Sequence, residues 1–310
     1  MVVVAVAGGT GGVGKTIVET LVQEPHHQVI VLTRSDSRID PADKSQHVKV
    51  DYNDITSLIQ TLEQHAIHTI ISAIGIFDDS TSQSQLNLIH AAEKSTTTKR
   101  FIPSEYSFIQ TKDLLPIDPS IQHWLDAATL LQRSHLQYTR VIPGFFMDYW
   151  GMPVARTHLA PCTFGINVQE CQAAIPGDGE DVIGMTYTYD MAAFLVRMLE
   201  ADEWPEFSVV VGDEVTYNEM LRMAEEIRGR KFQVVYDSKE RIREGRVTVP
   251  PMPGNTFSSQ DAQELTALVS RLTIAGVFQL PAEGRLNDKF PDIRPVKMRQ
   301  FLQAAWADYK

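Results

Sequence analysis

Residues Val2 to Thr16 read VVVAVAGGTGGVGKT, an apolar run that passes straight into a glycine-rich loop, and the reading of that loop decides the fold. Gly9 to Thr16 fit G-x-x-x-x-G-K-T, the phosphate loop of an NTPase, while Gly8, Gly11 and Gly14 fit G-x-x-G-x-x-G, a dinucleotide loop. Both patterns use the same physics, because small residues let backbone N–H groups approach phosphate at a helix N-terminus. The decision therefore lies downstream. An NTPase loop needs a second strand that delivers an aspartate to Mg²⁺. The strand-end aspartate of that form, Asp51 in VKVD, follows a strand that the dinucleotide reading already employs.

A dinucleotide loop instead needs a ribose-reading residue about 20 positions on, at the end of the second strand. Arg34 stands twenty residues after Gly14, in VIVLTRS. A carboxylate there would accept a ribose hydroxyl, whereas a guanidinium suits a 2′-phosphate, and Lys44 adds a second charge. The loop reads as an NADP(H) site. A surface role for Arg34 is the alternative, and the strand before the loop and the helix after it favour the cofactor.

Working outward, short β-branched runs alternate with helical patterns. Strands are expected at 2–7, 28–33, 47–52, 68–75, 99–104 and 137–142, as near-continuous apolar runs suited to burial on both faces. Helices are expected between them at 13–23, 55–65, 83–94 and 119–134. In the last, Ile121, Leu125, Ala128 and Leu131 share one face. This alternation predicts an α/β fold, a doubly wound parallel sheet of Rossmann type. The NADP-binding domain is expected over 1–150, with parts of 186–236 returning to it. A smaller interleaved α/β substrate-binding region is expected over 151–310. It opens with a loop-rich stretch at 154–185, followed by helices at 191–200, 218–228 and 261–271 and strands at 207–212 and 231–236.

The chain has 310 residues, 43% hydrophobic and 22% charged, with net charge −11. Such a balance repels a phosphate backbone, so nucleic acid is not expected as a ligand. No run approaches the ~20 apolar residues of a membrane helix, and the start lacks a signal-peptide pattern, so a cytoplasmic location is expected. Cys162 and Cys171 read as reduced thiols, and no metal-ligand set emerges: His65 and His68 flank a strand start, and Asp178 to Asp181 read as a solvated turn.

At KRFIPSEYS (Lys99 to Ser107) and LQYTRVIPGFFMDY (Leu136 to Tyr149) the sequence resembles the NmrA-like and isoflavone-reductase-like family of atypical short-chain dehydrogenases, particularly its fungal NmrA-like members. GGTGGVGKTIVETL, SAIG, PGDGED and WPEFSVVVGDEVTYNEML extend the resemblance through nearly the whole chain. The resemblance implies that Gly8, Thr10, Gly11, Gly12, Val13 and Gly14 cradle the diphosphate. It implies further that Arg34 and Lys44 hold the 2′-phosphate and that Asp51 and Tyr52 lie near adenine. Ala73, Ile74, Gly75, Pro103, Ser104 and Glu105 would border the nicotinamide half. One departure matters. Family reductases resemble one another in a lysine at the start of the helix before I-P-Y-T, where it is positioned for acid–base work. The matching place here is about Trp124, with His123 beside it.

Nor does any tyrosine have a lysine four residues later, so the Tyr-x-x-x-Lys pair is absent and carbonyl reduction lacks its usual proton donor. Two roles are open to His123, replacement acid or exposed first-turn histidine. Tyr106 either donates into the cleft or packs, and Trp124 walls either core or pocket. Phe145, Phe146, Met147 and Tyr149, with Trp150 and Met152, form an aromatic run after the sixth strand that suits pocket and core equally. Asp148 within it is a carboxylate for the substrate or a helix cap. The expected function is an NADP(H)-dependent oxidoreductase acting on a bulky, largely apolar small molecule of secondary metabolism. The missing lysine favours an alkaloid-like iminium or activated conjugated acceptor, whose reduction leads to coupled cyclisation. The alternative is a redox-silent NADP-binding regulator.

Overall fold

The computed structural model describes residues 2–35, 44–254 and 257–309. Its first half runs β1 (Val2–Ala7), α1 (Gly12–Leu21), β2 (His27–Thr33), β3 (Gln46–Lys49), α2 (Ile55–Gln64), β4 (Thr69–Ser72), α3 (Asp79–Lys94), β5 (Arg100–Ile102), α4 (Gln122–Arg133), β6 (Gln137–Tyr138) and β7 (Arg140–Ile142). Strands β1 to β6 form one parallel sheet in the order β3-β2-β1-β4-β5-β6. This is the strand order of a dinucleotide-binding domain, with β2 directly beside β1. Helix-facing side chains fill one face of the sheet: Ala5, Ala7, Ile30, Leu32, Ile70 and Phe101 pack with Leu58, Leu88 and Leu131 from α2, α3 and α4 in one buried cluster. The valine and isoleucine runs are buried on both sides because helices cover both sides, which is why they carry no alternation.

Several expected boundaries move, each for a local reason. The third strand stops at Lys49 rather than Tyr52, because the Asp51 carboxylate accepts from Asn53 N–H and turns the chain. The helix expected from Gln83 begins at Asp79, secured by a capping box in which Asp78 accepts from Thr81 N–H and Thr81 answers toward Asp78. Residues 137–142 do two jobs, β6 pairing with β5 and β7 joining a separate two-stranded ladder.

The rest of the chain contributes β8 (Phe145–Phe146), α5 (Asp148–Gly151), β9 (Ile166–Asn167), β10 (Gln172–Pro176), β11 (Ile183–Thr186), α6 (Thr188–Met198), β12 (Phe207–Val209), β13 (Asp213–Val215), α7 (Tyr217–Arg228), β14 (Gln233–Asp237), α8 (Lys239–Arg243), α9 (Ser259–Ile274), α10 (Leu286–Lys289) and α11 (Met298–Trp306). The stretch expected to be loop-rich thus holds three short strands. Two three-stranded sheets result, β14-β10-β9 and β13-β11-β8.

The chain divides into two compact units. The first comprises residues 1–106, 110–142 and 192–208; the second comprises 107–109, 143–191 and 209–310. Segment 192–208 is stitched into the first unit. Arg100 donates to the carbonyls of Leu199 and Asp202, Gln137 donates to that of Asp202, and Arg140 N–H donates to that of Glu206. Among the described residues no helix is long and apolar enough to cross a membrane.

Candidate cofactor cradle and reaction site

The glycine loop sits between β1 and α1, and its glycines divide into two sorts. A Cβ on Gly14 would stand 2.2 Å from the Gly8 carbonyl oxygen, and one on Gly8 would stand 2.4 Å from that of Ala73. These two let α1 and the end of β4 close on the loop. Gly11 and Gly12 differ: an added Cβ would meet nothing within 4 Å. The space lies outside the protein, over the start of α1, where Gly11 is the N-cap with no side-chain cap and no acidic residue in the first turn. The first-turn N–H groups and the positive end of the helix are left to an external anion. Thr10 is exposed beside them, with Val13 half-buried. The cradle fits the diphosphate of a dinucleotide. Lys15 is exposed on α1, and with β2 directly beside β1 the NTPase reading loses its strand arrangement.

Arg34 follows the last residue of β2, exposed and close to Tyr52. Tyr52 itself is a core residue whose hydroxyl donates to the Leu32 carbonyl, and burial pushes its phenol up while the Arg34 charge pulls against this. Its side chain is therefore occupied, a correction to its expected place beside adenine, where Asp51 remains exposed. Lys44 is exposed; the segment between, 36–43, lies outside the described residues.

At the ends of β4 and β5, Ala73 N–H continues the ladder to Ala7, and Ile74 and Gly75 follow. Ser104, after Pro103, is held from two sides. Its N–H donates to Gln85 Oε1 from α3 at 2.8 Å, and its carbonyl accepts from the Trp124 indole N–H at 2.8 Å. Trp124 thus locks the start of α4 to the end of β5. His123 Nε2 lies 3.7 Å from Asp79 Oδ1 in the first turn of α3.

One expectation is corrected here, that for Glu105, and three open alternatives narrow. Glu105 does not face a ligand: it is 3% exposed, both its oxygens accept from Arg140, and Gln110 N–H adds a third bond. Burial pushes its carboxyl up, and the Arg140 hydrogen bonds pull it back. Tyr106 spends its hydroxyl on the Ser72 carbonyl at 2.9 Å, and burial pushes the phenol up, so packing is its role. Asp148 is fully buried and caps α6, accepting from Thr188 N–H at 3.0 Å and Thr188 Oγ1 at 2.6 Å. The aromatic run is core of the second unit: Phe145, Phe146 and Met147 are at most 8% exposed, and Phe145 packs on Tyr149, Trp150, Phe164 and Phe278 with centroids 4.9 to 6.1 Å apart.

Sequence reasoning missed Gln85, Arg140 and Phe77. The first two act through partners 19 and 35 residues away, which no local pattern announces. Phe77 carried a signal: an aromatic inside the polar stretch IFDDSTS at a strand's carboxyl end.

The NAD(P)H-binding family model matches residues 8–160. The chain is 31% identical to Oxidoreductase swnN of Metarhizium robertsii, over 99% of this chain and 98% of that protein. It is 33% identical to Oxidoreductase BOA1 of Botryotinia fuckeliana, over 98% and 99%. Among solved structures it superposes on AtPrR2 with NADP⁺ and (+)pinoresinol at a TM-score of 0.76 and 18% identity, covering 98% of each chain. The cradle and these relatives agree: the chain belongs to the NmrA-like and isoflavone-reductase-like family of NAD(P)H-dependent oxidoreductases.

Proposed function

We propose that the chain is a reductase that prefers NADPH to NADH and reduces a bulky, largely apolar molecule of secondary metabolism already activated toward hydride, an iminium ion or a conjugated acceptor. The observation that carries this is the state of the two residues nearest to an acid–base role. The Tyr106 hydroxyl is committed to the Ser72 carbonyl and the His123 imidazole lies 3.7 Å from Asp79, while Trp124 stands at about the place the resemblance gives the family lysine.

NADPH, when bound, supplies a hydride. The chain's residues would hold its diphosphate at the N-terminus of α1 and its 2′-phosphate at Arg34, with Gly75 and Ser104 flanking the nicotinamide half. Reducing a neutral ketone puts negative charge on oxygen and calls for a positioned proton source. An iminium ends neutral without one, and a conjugated acceptor spreads its charge. Hydride addition to such an acceptor leaves an enolate, whose carbon closes a ring when it adds to an electrophilic carbon of the same molecule, the electron pair passing to that group's heteroatom and then taking up a proton. Relatives support the reductase reading, including a leucoanthocyanidin reductase from Vitis vinifera solved with NADPH.

Two measurements test this. NADPH should bind more tightly than NADH, and Arg34→Ala should remove roughly 1.5 to 3 kcal/mol, about one to two decades, of that preference in a calorimetric titration. Equal affinities in the wild type would sink the cofactor assignment. In the second, NADPH is offered with simple ketones, enals and cyclic iminium ions while its absorbance is followed. Turnover confined to the iminium and activated classes is expected. Fast turnover of unactivated ketones would refute the argument, and no oxidation with any class would return the regulator reading.

A further inference from the structure

Glu105 and Asp148 are bonded inward, so neither is free to hold a substrate cation. Side chains on the loop after β4 are differently placed. Phe77 is 87% exposed, well above any other large hydrophobic residue described. Its ring lies across Gly75, 2.4 Å from where a Cβ on that glycine would stand. The turn beneath it is pinned, since Phe77 N–H and Asp78 N–H both donate to Thr81 Oγ1 and Asp78 accepts from Thr81 N–H. A single exposed apolar side chain is ordinary. One fixed over the backbone expected to border the nicotinamide presents an aromatic face at the reacting end of the sheet.

Two residues on, the Asp79 carboxylate is fully exposed and has His123 Nε2 at 3.7 Å. The His123 ring is 6.5 Å from that of Trp124, whose indole is fastened to Ser104. The stretch after β4 therefore carries both groups, an aromatic ring across Gly75 and, two residues on, an exposed carboxylate whose imidazole neighbour comes from the start of α4. An aromatic ring and a carboxylate exposed on one short, pinned turn are the chemistry that holds an organic cation, through the ring's quadrupole and a direct ion pair.

We propose that Phe77 and Asp79 bind the cationic substrate of this site, whose charge takes the place of His123 against Asp79. The assignment rests on the reductase reading above. It makes the substrate a flat cation, and Phe77 and Asp79 the residues that discriminate it from a neutral molecule of the same shape.

The test is calorimetric binding to the NADP⁺-loaded protein, with N-methyl-3,4-dihydroisoquinolinium and its neutral carbon isostere 3-methyl-1,2-dihydronaphthalene as probes. The wild type should bind the cation about tenfold more tightly, and Phe77→Leu and Asp79→Asn should each weaken it about fivefold. Asp79→Asn should leave the isostere's affinity unchanged, and NADP⁺ affinity should be unchanged in both variants, which shows them folded. Equal binding of the two probes, binding of neither, or variants that keep the cation preference would overturn the proposal. NADP⁺ that binds without cation preference overturns this assignment alone; NADP⁺ that fails to bind the wild type overturns the reductase reading and this with it.

Discussion

Gly11→Val should abolish NADPH binding while the protein stays folded. The backbone at Gly11 is extended, at φ −155°, which any residue adopts, and an added side chain meets no protein atom. What it fills is the space over the first turn of α1, where the diphosphate would approach the N–H groups. Losing two charge-assisted hydrogen bonds at roughly 1.5 to 3 kcal/mol each removes about two to four decades of affinity. The unfolding free energy should fall by no more than the ~1 kcal/mol a poorer N-cap costs. Gly14→Val is the contrast: its Cβ collides with the Gly8 backbone, so that variant should lose the fold itself. Calorimetry beside thermal unfolding separates the two, and a folded Gly11→Val protein with unaltered NADPH affinity would remove the loop from the site.

Glu105→Gln should be among the most destabilising single changes in the first unit. Arg140 is 4% exposed and its guanidinium donates to both Glu105 oxygens, with Gln110 O as a further acceptor. Breaking a buried pair from one side costs about 3 to 5 kcal/mol, and Glu206, half-exposed and 3.8 Å from Arg140 Nη1, offsets only part of it. Replacing both partners, as Glu105→Leu with Arg140→Met, should recover much of that loss, because no buried charge then remains. Denaturant melts of the single and double variants decide it. A Glu105→Gln protein of normal stability but weakened NADPH affinity would restore this carboxylate to the cofactor.

The sheet was legible because its evidence is local. Val2–Ala7 matches the expected strand to the residue, and the central strands β1, β2 and β4 are runs rich in β-branched residues that need no partner to be recognised. The cradle was legible for the same reason, with glycine spacing, strand, helix and Arg34 all within one stretch. Roles that depend on a distant partner were not. PSE at the end of β5 looks the same whether the glutamate faces a ligand or Arg140, and Asp148 could not be assigned to α6 before Thr188 was known to lie against it. The short strands at 166–167, 172–176 and 183–186 were hidden by glycines and prolines that read as loop. The start of α3 was missed although D-x-x-T, a capping signal, stands at Asp78 to Thr81.

The return of residues 192–208 to the first unit bears on how the chain is made. A ribosome that has released β1 through β7 has delivered all six strands of the parallel sheet, yet β7 has no ladder partner until β12 is made, some sixty residues later. In that interval Arg100 and Gln137 lack the carbonyls they will bind, and β7 offers an open strand edge to any other nascent chain. The nucleotide-binding half is thus first in sequence but cannot be first to finish, and its completion waits on the synthesis of the whole inserted segment 143–191, which belongs to the other unit.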